Sequence, residues 1–554
     1  MSAKSPRLIA QAQEEYKTKD KEVKKSARRD KRAFVDELAG EAEQAAARGE
    51  LSMVYKITKQ LCGQNTNHNM PVKDKQGKLI TTEREQADRW VQHFKEVLNR
   101  PEPDDPANPA PSDDILGIDT SPPSLEEVKT AIKAMKCGKA PGIDSLQAEL
   151  LKADINTSAK VLTDLFKKIW TQDIIPQDWR KGLIFKLPKK GDTANCDNWR
   201  GITLLSIPSK IFCRVLLRRI DTAIDEKLRE EQAGFRKGRG CIDQIFALRN
   251  IIEQCLEWNA PLYINFIDFQ KAFDSVHRES LWKILRSYGI PSNIVNLIGT
   301  FYDHFECSII LNNTLTESFE VHSGVRQGCI LSPILFLITI DWIMRQATSD
   351  RPRGIQWTPF SQLEDLDFAD DLAIVATRQP HLQQKTSRLS EYAKQTGLNI
   401  NIKKTQAMYI NAHDKTPLTI DGETLETVED FTYLGSLISS DNGARKDIKA
   451  RLNKARGSFS RLRNIWRSKQ YSLKTKFKLY NSNVKSVLLY GSECWRIVKS
   501  DVNKVNAFHN GCLRRICNIY WPQKISNVNL YRKTGCKNIA LEIKSRRLRW
   551  LGMC

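Results

Sequence analysis

No two of the thirteen cysteines stand in a CxxC pair, which argues against a zinc ribbon and a disulfide framework and fits a reducing compartment. Met1 to Gln13 has no apolar core of signal-peptide length. The longest apolar stretch, Cys329 to Met344, is broken by Pro333 and Asp341 and falls short of the ~18 clean residues that a membrane span needs. Acidic charge is also in short supply: 87 Lys and Arg stand against 65 Asp and Glu, a net charge of +22. A surface this basic attracts polyanions, nucleic acid first among them. What is present is ordinary for a folded protein: 554 residues, 40% of them apolar, enough for several cores. No fixed-period repeat is visible.

Composition divides the chain into four expected regions. Residues 1–100 form a basic helical N-terminal extension, with Phe34, Val35, Leu38, Ala42 and Ala45 at helical spacing in its first part. Residues 101–123 read as an acidic, proline-rich linker: from Pro101 to Val128 there are eight acidic residues and no basic one. Ser124 with Glu127 three residues on is a capping box that opens a helix. From 124 to 440 helical patterns alternate with β-rich runs such as LIFKLP, PLYINFID, SIILNN and LAIVA, which predicts mixed layers of helix and sheet. From 441 to 554 strand signals fade, and Asp441 to Tyr480 holds thirteen Lys and Arg against two Asp. Leu452, Phe459, Leu462, Ile465 and Trp466 give that basic segment an apolar face, as in a helical bundle.

Three aspartates stand out. Asp268 ends the apolar run LYINFID, a costly place for a charge unless a cation or partner offsets it. Asp370 and Asp371 fall between two strand-like halves in LDFADDLAIVA, at the tip of a hairpin. Turn chemistry alone would account for one Asp there, but adjacent like charges flanked by Phe368, Ala369, Leu372 and Ala373 require a cation from elsewhere. Hard oxygen donors favour magnesium. A strand-end Asp with a hairpin-tip pair is what two-metal phosphoryl transfer requires, with ions about 4 Å apart activating the attacking hydroxyl and steadying the leaving group.

The motifs around these residues carry a specific resemblance. FIDFQKAFDSV resembles motif A of reverse transcriptases, FADDLAIV their motif C, and SGVRQGCILSPILFLITIDWIM (Ser323 to Met344) their motif B. In motif B, Gly324 and Gly328 would let backbone approach base and sugar, and Ser332 and Pro333 would start a helix as N-cap and N1. GLNINIKKT (Gly397 to Thr405) resembles motif D and YLGSLI the primer grip, with Tyr433, Leu434 and Gly435. FKLPKKGDTANCDNWRGITLLS resembles the fingers, QAGFRKGRGCIDQ (Gln232 to Gln244) the segment between fingers and palm in non-LTR retrotransposon enzymes, and GKAPGIDSLQAELLK the start of their polymerase region. LLYGSECW, FHNGCLRRI and RRLRWLG resemble their thumb and the region after it. His509 and Cys512 have metal-like spacing but no matching second pair, and are read as core or surface.

The resemblance to non-LTR retrotransposon reverse transcriptases implies an α+β right-hand polymerase. Fingers and an antiparallel palm sheet would lie in 124–440 and a helical basic thumb in 441–554, with helical extensions at both ends. It implies an RNA-directed DNA polymerase, a nucleotidyltransferase with Asp268, Asp370 and Asp371 as catalytic metal ligands. Two Mg2+ ions, replaceable by Mn2+, would be its cofactors; RNA template, DNA primer and dNTPs its partners, with no membrane; nucleus or cytoplasm its place. Phe273, five residues after the motif A Asp, would exclude a ribose 2′-hydroxyl, and Asp274 beside it is read as structural. Gln327, Arg200, Lys189, Lys190 and Lys404 would meet the nucleotide, Lys404 as a candidate proton donor to pyrophosphate. Two alternatives stand beside this reading: a non-catalytic or domesticated nucleic-acid-binding descendant, and a group II intron-type enzyme. Such elements also encode an endonuclease; none is legible here, and the chain ends at Cys554 within a truncated pattern, so the expectation is the polymerase portion alone.

Overall fold

The computed structural model describes residues 6–63, 71–312, 314–349, 353–441 and 443–552. The first residues of the expected N-terminal extension and the final Met553 and Cys554 lie outside these. The chain divides into two compact units: residues 68–435 with 440–442, and residues 1–67 with 436–439 and 443–554.

The larger unit holds two five-stranded sheets. Its main strands are β1 (Lys181–Pro188), β2 (Trp199–Leu204), β3 (Leu262–Ile267), β4 (Glu306–Leu311), β5 (Asp365–Phe368), β6 (Asp371–Ala376) and β7 (Gln406–Ile410). β1 pairs antiparallel with β2 and parallel with β4, giving the fingers sheet. The palm sheet runs β5–β6–β3–β7, with a short parallel strand, Glu426–Thr427, beyond β7. β3 sits at its centre, and every residue of LYINFI is buried: on one face Phe266 stacks on Phe431 at 4.0 Å, and on the other Asn265 donates to the Thr386 hydroxyl of a helix at 3.0 Å. Behind it lies the motif B helix, Ser332–Thr348, whose ILFLITI run is wholly buried. The helix starts one residue earlier than the sequence suggests: Ser332 is its first residue rather than its cap, because its hydroxyl donates instead to the Arg326 carbonyl at 2.7 Å.

Two expectations change here. The acidic stretch 101–123 is a packed strap, not a free linker. Ala107 and Ile118 are buried in the main core, and the Ala107 and Leu116 amides donate to the carbonyls of Gln395 at 2.9 Å and Gly289 at 2.7 Å. The capping box at Ser124 and Glu127 forms as read, and the same Glu127 also receives Arg219, 2.7 Å away. Second, the N-terminal 100 residues do not stay together. Residues 71–98 pack on the fingers through Trp90 and Phe94, whereas helices Pro6–Ala47 and Leu51–Leu61 share the second core. In that helical unit Ala39, Ala42 and Ala45 pack in one cluster with Ile448, Leu452, Phe459 and Trp466. His509 is buried there, its Nδ1 2.7 Å from the Tyr480 hydroxyl, a core residue as read. Among the described residues, every cysteine is a free thiol and no helix is long and apolar enough to cross a membrane.

Candidate active site

Strand register brings the three aspartates together. β6 pairs antiparallel with β3 so that Leu372 faces Ile267, and the next step of that ladder sets Asp371 across from Asp268. β5 and β6 close through Phe368 and Asp371, leaving Ala369 and Asp370 as a two-residue turn. Such turns need positive φ, and Ala369 adopts it at +58°.

The electrostatics show a site short of positive charge. Burial, and then the charges of Asp370 and Asp268, push the Asp371 carboxyl up to about 6, although the residue is exposed at the start of β6. Asp370 is pushed up as well, by burial first and then by Asp268. One oxygen of Asp268, Oδ2, is buried and accepts no hydrogen bond; the ammonium of Lys404 lies 3.2 Å from it as an ion pair. Among the described residues no three His, Cys, Asp or Glu side chains are already gathered as tightly as around a bound ion. The donor set nevertheless suits one: carboxylate oxygens alone, mutually repelling, with an unsatisfied atom among them. Hard oxygens of this kind suit hard divalent cations over softer metals.

Asp268 and Asp370 line a cleft of about 1010 Å³ that reaches from the palm to the fingers sheet. Lys189 and Arg200 line it as expected, joined by Lys271, Lys403, Lys404 and Arg100. Burial, then repulsion from Lys271, Arg200 and Lys404, lowers the Lys189 ammonium from its usual range, so the cations are crowded where phosphate would relieve them. Lys190 is exposed on the turn after β1 and lies away from the cleft wall. Phe273 lines the cleft with its ring stacked on Phe336 at 4.4 Å. The exposed ring of Phe235, held at φ +54°, meets Phe273 edge-on at 6.2 Å.

Asp274, Gly324, Gly328 and Tyr433 also make contacts within the protein that their motifs do not announce. Asp274, read as structural, lines the cleft and accepts a 2.7 Å hydrogen bond from the Gln327 amide. Burial pushes its carboxyl up to about 6. Gln327 thus reaches the cleft, with its amide committed to motif A. Gly324 and Gly328 serve packing within the protein: a Cβ would sit 2.6 Å from the Asp274 backbone at one and 2.3 Å from the Thr203 carbonyl oxygen at the other. Tyr433 is buried and its hydroxyl donates to the Leu366 carbonyl at 2.8 Å, so its side chain braces β5; at the expected primer grip the surface is left to Leu434 and Gly435, both at positive φ.

Behind the site lies a cluster that sequence reading missed. Arg229 makes hydrogen bonds of 2.7–2.8 Å to both oxygens of Asp365 and to Asp367, and its backbone amide donates to Asp341 at 2.9 Å. Tyr288 and Arg345 complete the cluster on Asp341 at 2.6 and 2.7 Å. Asp341, which made the motif B run look unlike a membrane span, is therefore a buried anchor for the helix.

The sheet thus brings Asp268, Asp370 and Asp371 to neighbouring positions, two of them in the wall of a cleft rich in Lys and Arg. Residues 187–438 match the family described as "Reverse transcriptase (RNA-dependent DNA polymerase)", and the chain carries that domain. Residues 458–490 match a second family, described as a domain of unknown function. Among curated relatives, the chain is 28% identical to "Transposon TX1 uncharacterized 149 kDa protein" of Xenopus laevis, over 52% of this chain and 22% of that one. It is 23% identical to "Probable RNA-directed DNA polymerase from transposon BS" of Drosophila melanogaster, over 88% of this chain and 55% of the other. It is 25% identical to "RNA-directed DNA polymerase from mobile element jockey" of Drosophila funebris, over 86% and 53%. The chain thus spans between 22% and 55% of the length of these relatives, and it resembles polymerases of non-LTR retrotransposons.

Proposed function

We propose that this chain extends a DNA 3′ end on an RNA template by two-metal-ion nucleotidyl transfer, as the polymerase of a non-LTR retrotransposon. The observation that carries this is the carboxylate set Asp268, Asp370 and Asp371, short of positive charge at the foot of a basic cleft. These side chains would hold the divalent cations, with Lys404 the resident counter-charge of Asp268. Bound Mg2+ would supply activation of the attacking 3′-hydroxyl and neutralisation of the leaving pyrophosphate. Lys189, Arg200 and Lys271 bind the triphosphate of the incoming nucleotide, where their mutual repulsion is relieved. Phe273, backed by Phe336, leaves room for a deoxyribose and excludes a 2′-hydroxyl. Asp274 holds the Gln327 amide so that motif B keeps its distance from that ring.

The helical region from Ala444 onward is assigned as the thumb, with its Lys and Arg on the phosphates of the template–primer duplex. Binding should then weaken steeply with salt, since each neutralised phosphate releases counterions; a flat salt response would remove this assignment.

Primer extension on poly(rA)/oligo(dT) with dTTP and Mg2+ tests the central reading. Wild type should incorporate, and Asp370→Asn should not. Equal incorporation by both, or none by either, would reject it.

A further inference from the structure

We infer that Gln232 is a positioning residue for catalysis, a clamp that sets the backbone of the hairpin tip carrying Asp370 and Asp371. This rests on the polymerase reading above and adds to it a control point outside the recognised metal ligands.

Ala369 immediately precedes the aspartate pair at φ +58°, a conformation that glycine adopts freely and alanine does not. Both of its backbone polar groups are taken by one side chain. Gln232 Oε1 accepts from the Ala369 amide at 2.7 Å, and its Nε2 donates to the Ala369 carbonyl at 3.3 Å. The same Oε1 accepts from the Gly234 amide at 2.8 Å, which fixes the glutamine in turn. Gln232 is fully buried, so these bonds are made without competition from water and are costly to leave unmade.

The backbone on either side extends the grip. The Ala233 amide donates to the Asp367 carbonyl at 2.9 Å and the Asp367 amide to the Glu231 carbonyl at 3.2 Å, so this loop makes a parallel bridge to β5 at Gln232 and Asp367. Gly234 lets the loop come this close: a Cβ there would stand 2.2 Å from the Ala369 nitrogen. Arg236 ties the loop down, donating to the carbonyls of Arg229 at 2.6 Å and Gln232 at 3.1 Å and to the Asp225 carboxylate at 2.6 Å. The tip of the hairpin is thus held by a loop 137 residues earlier in the chain. A free two-residue turn with alanine in this conformation would relax, and Asp370 is the next residue along.

Gln232→Ala should therefore misplace the carboxylates. In primer extension with titrated Mg2+, kcat should fall on the order of a hundredfold, as for an ångström-scale misplacement of reacting groups. The Mg2+ concentration for half-maximal rate should rise several-fold, on the same reasoning, while the KM for dTTP holds. Ala369→Gly, which needs no clamp to reach positive φ, should restore much of the lost rate when combined with Gln232→Ala. Gly234→Ala, which pushes on Ala369 from the loop side, should give the same signature and serves if Gln232→Ala folds poorly. A variant with a lower melting temperature but wild-type specific activity and an unchanged Mg2+ midpoint would overturn the inference, as would failure of Ala369→Gly to restore rate. Inactive wild type would instead reject the polymerase reading itself.

Discussion

One hairpin carries two acidic pairs with opposite surroundings. Asp365 and Asp367 on β5 are fully buried, and Arg229 meets them both within 2.8 Å. At the tip, Asp370 feels Arg200 and Asp371 feels Lys404, and the Lys404 side chain is 67% exposed and already paired with Asp268. The lower pair is balanced inside the protein and fixes the hairpin to the motif B helix through Asp341. Within it, burial, and then Asp365, pushes the Asp367 carboxyl well above the ordinary carboxylate range. The upper pair repels itself and is left for a cation that the protein does not supply. Charge balance, not the number of carboxylates, separates a structural acidic cluster from a catalytic one.

The sharpest break in this comparison is Asp370→Asn. Incorporation on a primed RNA template should fall at least about a thousandfold, equivalent to about 4 kcal/mol of barrier, while thermal stability in metal-free buffer stays level or rises as repulsion is removed. The lower pair should answer in the opposite way. Arg229→Met strands buried carboxylates and should cost about 3–5 kcal/mol of stability in denaturant titration; a loss under about 1 kcal/mol would show that the cluster balances without it.

The two pairs also differ in how far the sequence announces them. Asp268, Asp370 and Asp371 are legible because each interrupts an apolar β-rich run, and because motifs A, B and C follow in order around them. Asp365 and Asp367 look like the outward residues of an alternating strand, and their partner Arg229 lies 136 and 138 residues away, a distance no local pattern spans. The same limit applies elsewhere. Composition marks 101–123 as a linker, yet two apolar residues, Ala107 and Ile118, and a few backbone bonds to distant loops turn it into a strap. Ala42 and Ala45 are readable as a helix face, but not that their neighbours come from Ala444 onward. Asp274 is legible as structural, but not its partner: the short helix Ala272–Ser275 follows Lys271 at φ +50°, and Asp274 within it meets Gln327, 53 residues on.

Smaller effects sharpen the contrast. Mg2+ well above its dissociation constant should stabilise the wild type by about 1–3 kcal/mol. That gain should vanish in the Asp370→Asn/Asp371→Asn double variant and persist in Asp367→Asn. Asp367→Asn itself should cost less than about 1 kcal/mol at neutral pH, because burial favours the uncharged form of this carboxyl and the amide retains an oxygen for Arg229. A larger loss in thermal melts would mean that Asp367 is ionised in the folded protein.

The most direct test is Mn2+ binding followed by electron paramagnetic resonance. Wild type and Asp367→Asn should bind Mn2+ alike, and the Asp370→Asn/Asp371→Asn variant should lose that binding. Equal binding by all three, or loss in Asp367→Asn alone, would contradict the assignment of the hairpin tip as the metal site.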